Sequence, residues 1–485
     1  MSPYYLFLGL GIWAVFGVLI ANYAKRYMGI GMEDFFLANR KIGGFISAMT
    51  YSATTFSAFM MIGLVGLVYS TGVGAFGFEM TYLMFTVLLL GIFAPRFWSV
   101  GKRYNYLTPS EMLSHRYEDD KVGMVSTIVF LIMLIPYASI QMMGAGFLFY
   151  GLTGGQVPYM VGVIIMAVFS GFAALWAGMR SVSWTDAFQA ITMLVSALIL
   201  LFYIFYYIFG GPVNFFSTIS SQNPELLQFT WNIEMFIGLS LPWAFFALTN
   251  PQVSQRMFVS KDVKSLKRMI IFFSLFAFIY TIITSLFGFA IANYIPGLAV
   301  ADEAMPALLS QVPTVLAVVI FVGIFAAASS TLGSVILTLS SMTTRDLAQP
   351  LGKNLSEKQQ LLIGKSTIVL LVVVCIIFAS LRLELIAVLS AMASGGLLVT
   401  APALIGTFFW KKGTSQGALV SMLVGGLVTG SMFIFNIYPL GWWPSIWGFI
   451  VTIILYIGVS LATSPPERAE EFLEVVDEEM EKNGF

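Results

Sequence analysis

The sequence contains one cysteine and one histidine in 485 residues, and only 10% of it is charged. A single cysteine, Cys375 inside an apolar run, excludes an intrachain disulfide or a CxxC metal site. The single histidine, His115 in a basic loop, reads as a solvated loop residue, and a histidine-based zinc centre is excluded. Lys plus Arg and Asp plus Glu number 24 each, so the formal charge is zero and there is no basic excess to hold nucleic acid. No nucleophile–base pair or metal cluster stands out inside the apolar runs, so the chain does not read as an enzyme.

What the sequence has instead is apolar length. Hydrophobic residues make up 58% of it and its mean hydropathy is +0.89. In water that much apolar surface would aggregate, so lipid is the main solvent. A spanning helix needs roughly 20 mostly apolar residues. Thirteen such stretches occur, at 4–24, 43–70, 75–98, 123–151, 158–178, 184–209, 234–254, 269–294, 313–342, 366–381, 384–409, 416–436 and 445–463. They lack the alternation of barrel strands, and helices are then the only spanning structure.

The basic residues test that count, because Lys and Arg concentrate in loops on the cytoplasmic side. Lys25, Arg26, Arg40 and Lys41 follow the first span, and Arg96, Lys102, Arg103, Arg116 and Lys121 the third. Arg180 follows the fifth, and Arg256, Lys261, Lys264, Lys267 and Arg268 the seventh. Arg345, Lys353, Lys358 and Lys365 follow the ninth, Lys411 and Lys412 the eleventh, and Arg468 and Lys482 lie in the tail. Only Arg382 falls on the other side. The chain is thus expected in the cell membrane, amino terminus outside and carboxyl terminus cytoplasmic. The first span lacks a signal peptide's positive start and cleavage site and reads as structure. The acidic tail, 464–485, reads as a short solvated helix too small to be a signalling domain.

Three spans are rich in residues that interrupt or polarise a helix. The second, GGFISAMTYSATTFSAFMMIGLVGLVYS, is full of Ser, Thr and small residues. The seventh, EMFIGLSLPWAFFALTNPQVS, carries Pro242 and Pro251, and the ninth contains AAASSTLGSVILTLSS. Close packing and back-bonding hydroxyls explain any one of them. The second and seventh, however, stand five apart, so spans two to six and seven to eleven form sets of opposite orientation. Broken helices at matching places of inverted halves point to a transporter's binding site. In the ninth span Ser330 lies three after Ala327, with Thr331 beside it and Ser334 a turn on; Ala53 and Phe56 can add carbonyls. Neutral oxygens of this kind suit a hard cation such as sodium. Asp186 at membrane depth is a functional candidate, or else an N-cap near the interface. Glu79, nearer the outer face, reads as interfacial.

At these residues the chain resembles the sodium:solute symporter family. The likeness runs through EDFFLANRKIGG, SAMTYSATTFSAFMMIGLVG, GMRSVSWTDAFQA, NPQVSQRMFVSKDVKSLKR and AAASSTLGSVILTLSSMTTRDL, in order. It implies a LeuT-like all-α fold. The first helix and its loop would occupy 1–42, a first five-helix repeat 43–209 and an external loop 210–233. A second, inverted repeat would occupy 234–409 and two extra helices 410–463. It implies sodium held by the carbonyls of Ala53, Phe56 and Ala327 and the hydroxyls of Ser330 and Thr331. A second sodium, as in some members, would fall on Asp186, Ser330, Thr331 and Ser334, although Gly333 replaces one of that site's hydroxyl residues. The solute pocket would lie among Thr54, Ser57, Tyr137, Gln141, Trp243 and Asn250. Trp243 matches an aromatic of the proline members, whereas Ala247 and Ala138 replace a tyrosine and a cysteine found there; Gln141 matches the pantothenate members. With no Lys or Arg at a span centre, a solute carboxylate would be met by hydroxyls, amides and a helix N-terminus. The implied activity is sodium-driven import of a small organic solute such as pantothenate, proline or a monocarboxylate. No organic cofactor and no obligate protein partner are indicated. Proton coupling through Asp186 is the alternative, followed by a membrane-embedded sensor.

Overall fold

The computed structural model describes residues 1–485 apart from 28, 30, 353, 354 and 384 and the side chain of 177. Lys353 and the predicted first residue of the eleventh span, 384, lie outside the described residues. Among the described residues there is no β-strand, only an isolated bridge between Ile42 and Ser260.

Among the described residues eleven helices are long and apolar enough to span a bilayer, and a bent pair makes a twelfth. In chain order they are α1 (Pro3–Lys25), α2 (Gly44–Thr55 with Phe59–Thr71), α3 (Val73–Tyr104), α4 (Asp120–Leu152), α5 (Tyr159–Trp176) and α6 (Gly178–Ile208). After a broken seventh unit come α8 (Val263–Tyr294), α9 (Thr314–Leu351), α10 (Glu357–Leu381), α11 (Ile386–Phe409), α12 (Ser415–Ile434) and α13 (Pro444–Ala462). The predicted seventh span is not one helix. α7 consists of Ile233–Ala244, Phe246–Thr249 and Pro251–Ser254, too short in any piece to pass as a span. Counting α7, the described residues thus hold about thirteen apolar units, as predicted, two of them broken.

α9 and α11 are the most enclosed helices, and α1, α6 and α10 turn much of their surface outward. Val15, Leu19, Leu370 and Ile377 are among the large side chains left exposed there, as a lipid-facing surface requires. α5 passes to α6 at Gly178 (φ 55°, ψ −178°), a backbone open only to glycine.

The loop arginines do more than mark one side; they tie that end of the bundle together. Arg180 binds Asp34 Oδ1 at 3.0 Å and the Ala38 carbonyl at 2.9 Å. Arg40 donates to Glu33 Oε1 at 3.1 Å and to the Tyr106 carbonyl at 2.8 Å, and Arg116 to the Trp410 carbonyl at 3.0 Å. The tail is helical, as expected, but docked. In α14 (Ala469–Lys482), Phe472 stacks on Tyr104 with centroids 6.0 Å apart and meets His115 edge-on. His115 itself stays exposed, as predicted, and is hydrogen-bonded to Tyr106.

Candidate functional site

α2 breaks because its hydroxyls and its backbone turn away from the helix together. Ser52 and Thr55 bond back to the carbonyls of Ala48 and Tyr51, each at 2.8 Å, which loosens and bends a helix. Phe56 N–H closes the last turn on Ser52, and Phe56 then adopts extended φ/ψ of −96° and 118°. The chain bends by 54° before the second half. The Phe56 ring packs on Phe276 and Tyr280 of α8, at centroid distances of 5.8 and 5.6 Å, and pins the break in place.

A helix end leaves carbonyls without intrahelical donors, and α9 supplies hydroxyls to them. Ser330 Oγ lies 2.7 Å from the Ala53 carbonyl and 3.0 Å from that of Ala327. Thr331 Oγ1 lies 3.2 Å from the Ala53 carbonyl and 3.4 Å from that of Thr54. The predicted oxygens of Ala53, Ala327, Ser330 and Thr331 therefore converge, fully enclosed, with Phe56 at the break beside them. The set is neutral and hard, which fits sodium.

One turn along α9, the structure corrects the sequence reading. Arg256 is not a solvated loop residue: its side chain is wholly buried and pairs with Asp186 at 3.2 Å. Its guanidinium also donates to Thr50 Oγ1 at 3.1 Å, the Gln252 carbonyl at 2.7 Å and Ser334 Oγ. Thr50 Oγ1 donates to Asp186 Oδ2 at 2.6 Å, and Thr54 Oγ1 lies 3.1 Å from Ser334 Oγ. Asp186 is thus not an N-cap at the interface. Asp186 and Ser334 do meet, but across a cation belonging to the chain. Beneath this layer Gln255 binds Thr338 and Ser341, and Asp346 accepts from Thr108, so α9 presents a polar group at nearly every turn toward the basic end.

The predicted pocket residues divide into two kinds. Gln141 has both ends of its amide engaged: Oε1 accepts from Ala58 N–H at 3.0 Å and Nε2 donates to the Tyr137 carbonyl at 3.1 Å. It caps the second half of α2. Ser57 Oγ accepts from Phe59 N–H at 3.2 Å, and Thr54 is held by Ser334. Tyr137 OH, Trp243 Nε1 and Asn250 Nδ2 are buried with no hydrogen-bond partner among the described residues. The rings of Tyr137 and Trp243 are 6.4 Å apart, and Asn250 is the extended residue at the break of α7 (φ −96°, ψ 105°), set by the proline that follows.

Glu79 was expected at the interface; it is completely buried on α3, and neither carboxylate oxygen has a partner among the described residues. Its depth along the span was readable, but which way the helix faces was not. Arg256 was missed for a related reason. The one available signal was that a buried Asp186 demands a cation, and Arg256 closes the QVSQR segment straight after the broken helix.

Two broken helices meeting a continuous polar helix around neutral oxygens define an ion-coupled membrane transporter of LeuT-like fold. Residues 35–425 match the model of the sodium:solute symporter family, and the chain belongs to that family. It is 27% identical to the sodium/pantothenate symporter of Escherichia coli (strain K12) over 93% of this chain and 95% of that one. It is 25% identical to an osmoregulated proline transporter of Bacillus subtilis (strain 168), with 96% of each chain covered. A solved Na+-coupled sialic acid symporter in its substrate-bound outward-open state superposes with a TM-score of 0.79 at 18% identity, covering 95% of this chain and 98% of that one. The activity is sodium-coupled solute symport.

Proposed function

We propose that the chain imports a small organic carboxylate, pantothenate first and proline second, with sodium held by Ala53, Phe56, Ala327, Ser330 and Thr331. The observation that carries this is the convergence of α9 hydroxyls on the orphaned carbonyls of α2, at 2.7–3.4 Å. Those hydroxyls donate their hydrogens to the carbonyls. When the ion enters, the hydroxyls rotate and present lone pairs, so the same oxygens replace its water. Sodium bridging α2 and α9 holds the break of α2 open to the solute, which binds among Thr54, Ser57, Tyr137, Trp243 and Asn250. Gln141 positions this pocket through its bond to Ala58. Rocking of the loaded core then exposes both to the other side.

The basic end is placed in the cytoplasm, which puts the amino terminus outside and the carboxyl terminus inside the cell membrane. One charge moving down 100 mV contributes about 2.3 kcal/mol. Arg256 already supplies a positive charge between Asp186 and Ser334, which supports one sodium per cycle over two. The same ion pair makes Asp186 a poor proton carrier. The chain is read as a transporter without catalytic chemistry, organic cofactor or required protein partner.

The test is uptake into liposomes under an imposed sodium gradient. Ser330→Ala and Thr331→Ala are each expected to raise the sodium concentration for half-maximal uptake at least several-fold. Unaltered sodium dependence in both, or uptake driven equally well by a pH gradient in sodium-free buffer, would refute the assignment.

A further inference from the structure

At the basic end of the bundle α1 and α6 pack together, tied where Ser181 Oγ donates to the Ala21 carbonyl at 3.1 Å. Beside this contact a cavity of about 350 Å³ opens between the two helices and the loop that leads into α2. Tyr23, Tyr27 and Trp184 line it on one side, and Lys41 and Arg180 bring two cations to it. Tyr23 and Tyr27 stand at the end of α1 and Trp184 in the first two turns of α6, all three partly exposed. Tyr and Trp at the ends of spanning helices sit at the level of lipid headgroups. The cations are not used up within the protein. Arg180 gives Nη2 to Asp34 and to the Ala38 carbonyl, but its Nε is buried with no partner among the described residues. A buried donor in that position costs free energy unless something outside the chain supplies an acceptor. Lys41 is exposed and forms no ion pair among the described residues. The acids close by are already committed, Asp34 to Arg180 at 3.0 Å and Glu33 to Arg40 at 3.1 Å. Lys25 and Arg26, at the same end of α1, add further positive charge.

We propose that this cavity binds the headgroup of an anionic phospholipid from the leaflet at the basic end. Its phosphate accepts from the free Nε of Arg180 and from Lys41, charge-assisted bonds of the kind that guanidinium and ammonium groups make with phosphate. Basic pockets between spanning helices hold anionic headgroups in this way. The acyl chains leave past Tyr23 and Trp184 along the outward faces of α1 and α6, an apolar wall for which a soluble anion has no use. The headgroup must carry net negative charge, because a zwitterionic lipid brings its own cation to a site that already holds two. The loop carrying Lys41 runs directly into α2 at Gly44, so the bound headgroup joins the outer helices to the foot of the broken helix. This inference requires only that the chain lies in a membrane, and is independent of which solute it carries.

The experiment is scanning fluorimetry of the full chain in an uncharged detergent and potassium buffer. Dioctanoyl phosphatidylglycerol, dioctanoyl phosphatidylcholine and inorganic phosphate are titrated in turn. Phosphatidylglycerol is expected to raise the melting temperature by about 3 °C at 100 times its apparent Kd. Phosphatidylcholine should bind at least about five-fold more weakly, and inorganic phosphate at the same concentration should leave the melting temperature unmoved. Lys41→Gln should raise the apparent Kd for phosphatidylglycerol about five-fold, the worth of one lysine at a membrane surface. Lys412→Gln removes the same charge from an exposed position elsewhere at that end, and should change it by less than about two-fold. Lys41 is exposed, so without lipid its variant should melt within about 1 °C of the native chain. Should it melt lower, Lys41→Arg, which keeps the charge, must restore the response to phosphatidylglycerol. No response to phosphatidylglycerol, or an equal one to phosphatidylcholine, would overturn the inference. So would an equal response to inorganic phosphate, which marks a soluble-anion site, or equal losses in Lys41→Gln and Lys412→Gln, which mark diffuse surface attraction.

Discussion

Removing Arg256 and the charge of Asp186 together should destabilise the protein by much less than the two single losses summed. The two side chains are 0% and 2% exposed, and among the described residues Asp186 receives hydrogen bonds only from Thr50 and Arg256. In Arg256→Met the carboxylate keeps Thr50 alone, and breaking one side of a buried pair costs about 3–5 kcal/mol. Unfolding entropy of about 2 cal/mol/K per residue gives about 1 kcal/mol/K for a chain of 485 residues. The apparent Tm should therefore fall by about 3–5 °C. Asp186→Asn strands the guanidinium and should cost a similar amount. The double variant leaves no buried charge, so its loss should be smaller than the two single losses summed by at least about 2 kcal/mol. Scanning fluorimetry in detergent at one fixed heating rate, in potassium buffer, measures this without a contribution from sodium; the fixed rate matters because such proteins unfold irreversibly. Strictly additive losses, or an Arg256→Met variant as stable as the native chain, would refute the buried pair.

Gln141→Leu removes the acceptor for Ala58 N–H and should destabilise by about 1–2 kcal/mol, a lost cap. Gln141→Glu keeps that acceptor and should recover part of both stability and uptake; equal losses in the two variants would contradict the capping role. Asp302, in a loop at the end opposite the basic one, accepts from Ile386 N–H at 2.9 Å, and burial pushes its carboxyl up to about 6. The native state then holds that proton to higher pH than the unfolded chain. Its contribution is complete below about pH 4 and is lost as pH rises through 6. Melting temperature should drop between pH 4.5 and 7.5 more in the native protein than in Asp302→Asn, and identical profiles would sink the assignment.

The number and spacing of the helices were legible because each long apolar run carries its own signal, and basic residues alternate between them. The oxygen cluster was legible for a narrower reason. Ala327, Ser330 and Thr331 share one helix face, and Ala53 and Phe56 sit where the hydroxyl-rich second span weakens. The Asp186–Arg256 pair was not legible, because its partners are 70 residues apart and meet only where α6 crosses the broken end of α7. Glu79 was misplaced since sequence reports depth along a span while burial depends on which neighbour the helix faces. Gln141 was singled out as a pocket residue; only the structure shows its amide engaged by backbone at both ends.

The central claim, that sodium sits where α9 meets the break of α2, is tested most directly by melting the protein in sodium against potassium without solute. A ligand at 100 times its Kd stabilises by about 2.7 kcal/mol, or about 3 °C by the same entropy scale. Sodium is predicted to raise the melting temperature of the native chain by that amount, and to leave the Ser330→Ala/Thr331→Ala double variant unmoved. A sodium-specific rise of the same size in the double variant would place the ion elsewhere and contradict the account.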